Sequence, residues 1–84
     1  MQYSSFLDWL VLNRNMKKRS AKDVVSRCKR IVSMLSSDEI DSTTISRLNA
    51  DKTFSEKSVF IRSQLRRAAT LYVEFCDAIE GTDE

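Results

Sequence analysis

Between Ser58 and Ile79 apolar residues recur at helical spacing, at Ile61, Leu65, Ala68, Ala69, Tyr72, Phe75, Cys76 and Ile79, and no period-two strand pattern competes. At about 100° per residue these side chains, with Phe60, Gln64 and Leu71, cover an arc of roughly 180°. A helix that apolar has to touch several neighbours at once, so it must be the centre of a bundle. Arg62, Ser63, Arg66, Arg67 and Thr70 remain for a wet, cationic face along its first half.

The remainder of the chain has to supply the neighbours, and it has few means of making anything but helix. There is no Pro and a single Gly among 84 residues, so the punctuation that β-hairpins need is missing. Eighty-four residues suit one domain with a modest core and no need of metal or disulfide staples. The expected fold class is all-α, a compact bundle over residues 1–84, with 81–84 a frayed tail or linker. Cys28 and Cys76 each fall on an apolar helix face, which points to free thiols and a reducing compartment. The longest apolar run, Trp9 to Leu12, is far short of the roughly 20 residues of a membrane span. A cytoplasmic protein with no membrane partner is expected.

Taken in order, Ser4 or Ser5 can cap a first helix whose Phe6, Trp9 and Leu10 repeat at i, i+3, i+4. These three read as core anchors. A basic turn, Asn13 to Arg19, leads to Ser20, a helix cap with Asp23 three residues on. Such a helix start offers a phosphate both backbone donors and cations. The second helix carries Ala21, Val24, Val25, Cys28, Ile31, Val32 and Leu35 on an arc of about 120°, with Lys22, Ser26, Lys29, Arg30 and Ser33 off it. Ser42 or Thr43 can cap a short third helix burying Ile45 and Leu48, broken by Asn49 to Thr53. Asp38, Glu39 and Asp41 lack the glycine and terminal Glu of a calcium loop and read as a solvated turn. Phe54 ahead of Ser55 fits a hydrophobic residue that precedes a cap and packs on the helix that follows. The last helix should end near Glu80 and Gly81.

The net charge of +2 hides a segregation. Arg14 to Arg30 holds eight cations and one acid, Asp23, and Lys57 to Arg67 holds four cations and none. Asp38 to Glu56 and Glu74 to Glu84 carry most of the carboxylates. Separation of this kind concerns a partner rather than a fold. Catalysis by the chain itself is not expected: there is no His, Gly-rich loop, metal-ligand spacing or carboxylate pair in an apolar setting, and the Ser and Lys residues fall on wet faces and caps. No cofactor or metal is implied.

The succession Phe6-Leu7-Asp8-Trp9-Leu10, a basic turn to Ser20, Val24 and Cys28-Lys29-Arg30-Ile31, a linking helix with Ile45 and Leu48, Ser58-Val59-Phe60-Ile61-Arg62-Ser63-Gln64-Leu65-Arg66-Arg67, and Tyr72-Val73-Glu74-Phe75 resembles the N-terminal core-binding, SAM-like domain of tyrosine recombinases, the phage integrases. The resemblance covers nearly the whole chain in patterns of size and polarity. It implies a four-helix bundle in the SAM-like orthogonal arrangement with a long C-terminal helix, gripping double-stranded DNA. A catalytic recombinase domain in cis would grip the other side, with other protomers as further partners. It also implies that Lys17, Lys18, Arg19, Ser20, Lys22, Ser26 and Lys29 face DNA, joined by Ser55, Lys57, Ser58, Arg62, Ser63 and Arg66. The chain differs from the family pattern in having Asp23, and Ser26 or Arg27, near positions where the family often places Thr and Tyr. The family's catalytic Arg, His and Tyr belong to the other domain.

On this reading the two basic helix faces lie side by side, and Arg62 and Arg66 face water. The competing expectation is a helical protein-interaction or accessory domain of a DNA-processing system, restriction or replication, which would use its charged surfaces against other proteins.

Overall fold

A computed structural model describes the backbone of residues 2–81 and the side chains of 2–79. Among the described residues five helices follow one another: α1 (Tyr3–Asn13), α2 (Lys18–Leu35), α3 (Thr44–Ala50), α4 (Lys52–Ser55) and α5 (Val59–Gly81). The fold is an all-α bundle with a long C-terminal helix, as expected, and the single-turn α4 adds a fifth helix to the predicted four. The proposed frayed tail at 81–84 lies, beyond Gly81, outside the described residues. The 23 residues of α5 reach about 35 Å at 1.5 Å each, which accounts for most of the 39 Å long dimension. The thinnest dimension is 16 Å, about two helix layers. Among the described residues no helix is long and apolar enough to cross a membrane.

The wide apolar arc of α5 is satisfied by contact with α1, α2 and α3. On the α1 side Phe6 is wholly buried. Its ring meets Tyr72 edge-on at 4.9 Å and Phe75 at 5.3 Å, and Trp9 packs on Phe75 at 5.8 Å. Aromatic pairs at these separations add to the area they bury. The Tyr72 hydroxyl also accepts the Gln2 N–H at 3.2 Å, which pins the chain start to α5. On the α2 side the small side chains Ala21, Cys28, Ala68 and Ala69 are buried, and the Cys28 thiol donates to the Ala68 carbonyl at 3.5 Å. Neither cysteine forms a disulfide among the described residues; Cys28 is buried and Cys76 half-buried.

One edge of the α5 arc differs from expectation. Phe60 is 68 % exposed and its neighbour Val59 67 %, whereas Gln64 is half-buried and Leu71 buried on the same edge. That edge of the arc is covered only from Gln64 onward.

The first two helices end without glycine. Asn15 and Ser36 take the left-handed conformation, with φ of 56° and 51°, the place where Gly is usual. After α2 the Ser37 N–H reaches the Val32 carbonyl at 2.9 Å and the Ser36 N–H the Ser33 carbonyl at 3.3 Å, the Schellman pattern. Arg47 of α3 adds a donor to the Leu35 carbonyl at 3.4 Å.

Several caps are not the predicted ones. At α1 the cap position is Gln2, and at α2 it is Lys17, neither with a side-chain bond. Ser20 lies inside α2, because Met16 already packs on the core and brings the chain into the helix a turn earlier. Ahead of α3 the Asp41 carboxylate accepts from the Thr43 N–H at 2.9 Å and its hydroxyl at 2.6 Å, and these bonds hold its carboxyl below the usual range. The buried Thr44 hydroxyl oxygen accepts the Asp41 N–H at 2.9 Å. Asp51 closes α3 and caps α4 through the Phe54 N–H at 2.9 Å. Thr53 and Phe54 therefore belong to a helical turn, and Ser58, not Ser55, caps α5 through the Ile61 N–H at 3.2 Å.

Two stability outcomes follow from these observations. Replacing Ser36 by Gly should relieve its left-handed backbone, offset in part by greater unfolded-chain entropy, and add about 0.5–1 kcal/mol. Thermal melting should move up by about 3–6 °C. Burial pushes the Cys28 thiol from its ordinary value of 9.0 up to about 12. Between those pH values the unfolded chain releases this proton and the folded one keeps it, so stability falls as pH rises. Burial also raises the phenols of Tyr3 and Tyr72, which act in the same direction. Urea midpoints measured from pH 8 to 11 should therefore fall for both the native chain and Cys28→Ala, and more steeply for the native chain.

Candidate nucleic-acid interface

The heptad-like placement of Ala21, Val24, Val25, Cys28 and Ile31 against the core turns the rest of α2 outward. Lys17, Lys18, Arg19, Ser20, Lys22, Ser26 and Lys29 are all exposed. None of these cations forms an ion pair among the described residues, where the salt bridge is Arg14 to Glu74 at 3.5 Å. Lys29 is partly engaged: its Nζ sits 5.2 Å over the Tyr3 ring, an exposed cation–π contact of about 0.5–1 kcal/mol.

The two flanks of α2 face different neighbours. Lys22, Ser26 and Lys29 border a groove against α1, completed by Tyr3, Leu7 and Asp8. Asp23, Ser26, Arg27 and Arg30 border a second groove against α5, where Gln64 is the opposing side chain. Ser26 stands on the crest between them.

The second basic block is placed less freely than expected. Arg66 donates to the Asn49 side-chain oxygen at 3.0 Å and lies 5.6 Å over the Phe54 ring, so it turns toward α3 and α4. Arg62, one helical turn before it, is half-buried, and its Nε is buried without a hydrogen-bond partner. Lys57 is half-buried and Ser63 exposed. The Ser58 hydroxyl is engaged as a cap, and the Ser55 hydroxyl donates to the Lys52 carbonyl at 2.8 Å.

These positions correct two expectations. Arg62 and Arg66 are packed side chains rather than freely hydrated ones. Nor do they line the groove that Lys22 and Lys29 border against α1, or the α2–α5 groove, and Arg66 turns toward α3 and α4. The cations at the junction are Arg27 and Arg30, which the expected interface omitted. A helical wheel already puts Arg27 and Lys29 on opposite flanks of the α2 apolar stripe. Which flank meets α5 depends on packing.

Comparison of the chain with protein-family models, curated proteins and solved structures finds no match to any of them.

Arg66→Ala removes the contacts to Asn49 and Phe54 and should cost about 1 kcal/mol. Lys22→Ala, at an exposed position with no hydrogen bond or ion pair among the described residues, should stay within about 0.5 kcal/mol of the native chain. Chemical denaturation of the two variants checks this difference.

Proposed function

We propose that the chain is a DNA-binding domain of the core-binding type that precedes the catalytic domain of tyrosine recombinases. It holds double-stranded DNA through the outward face of α2. The observation that carries this reading is the concentration of Lys18, Arg19, Lys22 and Lys29 along one helix, exposed and without carboxylate partners among the described residues. Such a face neutralises phosphates, releases their counterions and sets the protein's position on the duplex. The recombinase part of the proposal rests on the order of the size-and-polarity motifs from Phe6 to Phe75 and on the long C-terminal helix against which the others pack. A catalytic domain in cis and further protomers are the partners that this reading supplies.

Because Arg62 and Arg66 are held by packing, the phosphate contacts centre on α2, with Lys57 and Ser63 at the margin. Most of this binding tolerates sequence changes in the DNA.

Fluorescence anisotropy with a labelled duplex at increasing salt tests the proposal. Affinity should fall steeply between about 50 and 200 mM salt. Arg19→Ala and Lys22→Ala should each weaken binding on many sequences and reduce the salt slope by about one. Absence of saturable duplex binding at every salt concentration would overturn the DNA reading and favour the accessory protein-interaction domain.

A further inference from the structure

The exposed Phe60 stands apart from the rest of the apolar inventory. At 68 % exposure, beside Val59 at 67 %, it lies on the most central helix of the bundle, yet the core does not take it. Its position on α5 says what surrounds it. Gln64 is one turn along the same face and Arg67 follows within a further turn, and Gln64 lines the α2–α5 groove with Arg27 and Arg30. Arg30 and Arg67 are exposed and Arg27 half-buried, and none of the three is paired with a carboxylate among the described residues. The one acid in the groove is Asp23.

A groove with two guanidinium groups unpaired among the described residues, Arg27 and Arg30, combines two complementary chemistries with its α5 wall, where Gln64 has an open aromatic ring, Phe60, one turn before it and a third guanidinium, Arg67, one turn after. The cations suit a polyanion, and the ring suits the π-face of an unstacked base. A duplex presents its phosphates but keeps its bases stacked, so it uses only the first of these. The geometry points to a second nucleic-acid surface, distinct from the outward face of α2. The α2–α5 groove holds the backbone of a single-stranded segment through Arg27, Arg30 and Arg67, and a nucleobase stacks on Phe60. Asp23 opposes the backbone and limits the affinity. This goes beyond duplex binding and does not require it.

The test compares a labelled oligothymidylate with a labelled duplex of mixed sequence, by anisotropy at low salt, on the whole chain. The native protein should bind the single strand saturably. Phe60→Ala should weaken that binding roughly tenfold, from the loss of one stacked base, and leave duplex affinity unchanged. Asp23→Asn should strengthen single-strand binding. Phe60→Trp should retain binding and show quenching of the added indole by the oligonucleotide. Circular dichroism of each variant monitors folding, and Phe60 is exposed enough that its replacement should leave the melting temperature near the native value. Duplex binding without single-strand binding would overturn this inference and spare the proposed function. Single-strand binding indifferent to Phe60→Ala would overturn the stacking role and reduce the groove to electrostatics. Sedimentation showing a native dimer that Phe60→Ala dissociates would assign the patch to a second copy of the chain and overturn the inference.

Discussion

The close crossing of α2 and α5 is the contact on which the rest of the molecule depends. Cys28, Ala68 and Ala69 are small and fully buried there, and the thiol reaches a backbone carbonyl of the opposite helix. Small side chains allow two helices to approach, and approach settles rotation: once Cys28 faces Ala68, one flank of α2 is committed to α5 and the other to α1. The division of α2 cations between two grooves is therefore a consequence of core packing. Charge on the surface follows from which methyl groups meet below it.

The second constraint is how a chain with so little glycine turns corners. Asn15 and Ser36 enter the left-handed region in glycine's place, Asp51 ends one helix while starting the next, and Ser58 caps the last. The Asp51 and Ser58 caps are single polar contacts, each worth about 1 kcal/mol. Arg47, reaching from α3 to the end of α2, gives the α2–α3 turn a further tie. The cations engaged in such ties, Arg47 and Arg66, are less open to a partner, which separates cations that support the fold from those with no such contact.

That separation shapes the functional reading. Counting charge along the chain treats Arg62, Arg66, Lys22 and Lys29 alike. Packing divides them, since a guanidinium stacked over Phe54 and bonded to Asn49 has lost some of its freedom to meet a phosphate, while an exposed lysine on α2 has not. Glu74 and Asp77 lie on α5 beyond its last cation, Arg67, the nearer of them about 10 Å further along the axis, so positive and negative charge occupy opposite halves of that helix. A polyanion drawn to the first half is kept from the second.

Much of this was legible in the residues alone. The absence of Pro, the repeat from Ile61 to Ile79, the stripe from Ala21 to Leu35 and the i, i+3, i+4 anchors Phe6, Trp9 and Leu10 determined an all-α bundle around the last helix, because helical periodicity is a local property that burial has only to confirm. Caps were less legible: Ser20 and Ser55 had the right chemistry, but where a helix begins is set by which upstream residue the core holds, here Met16 and Phe54. The interface was legible as a set of exposed cations on α2 and not as a place. Which flank of α2 faces α5, that Arg66 is drawn under α3, and that Phe60 is left in water are outcomes of helix rotation and crossing. Those depend on contacts between residues about 40 positions apart in the chain, which no local pattern encodes.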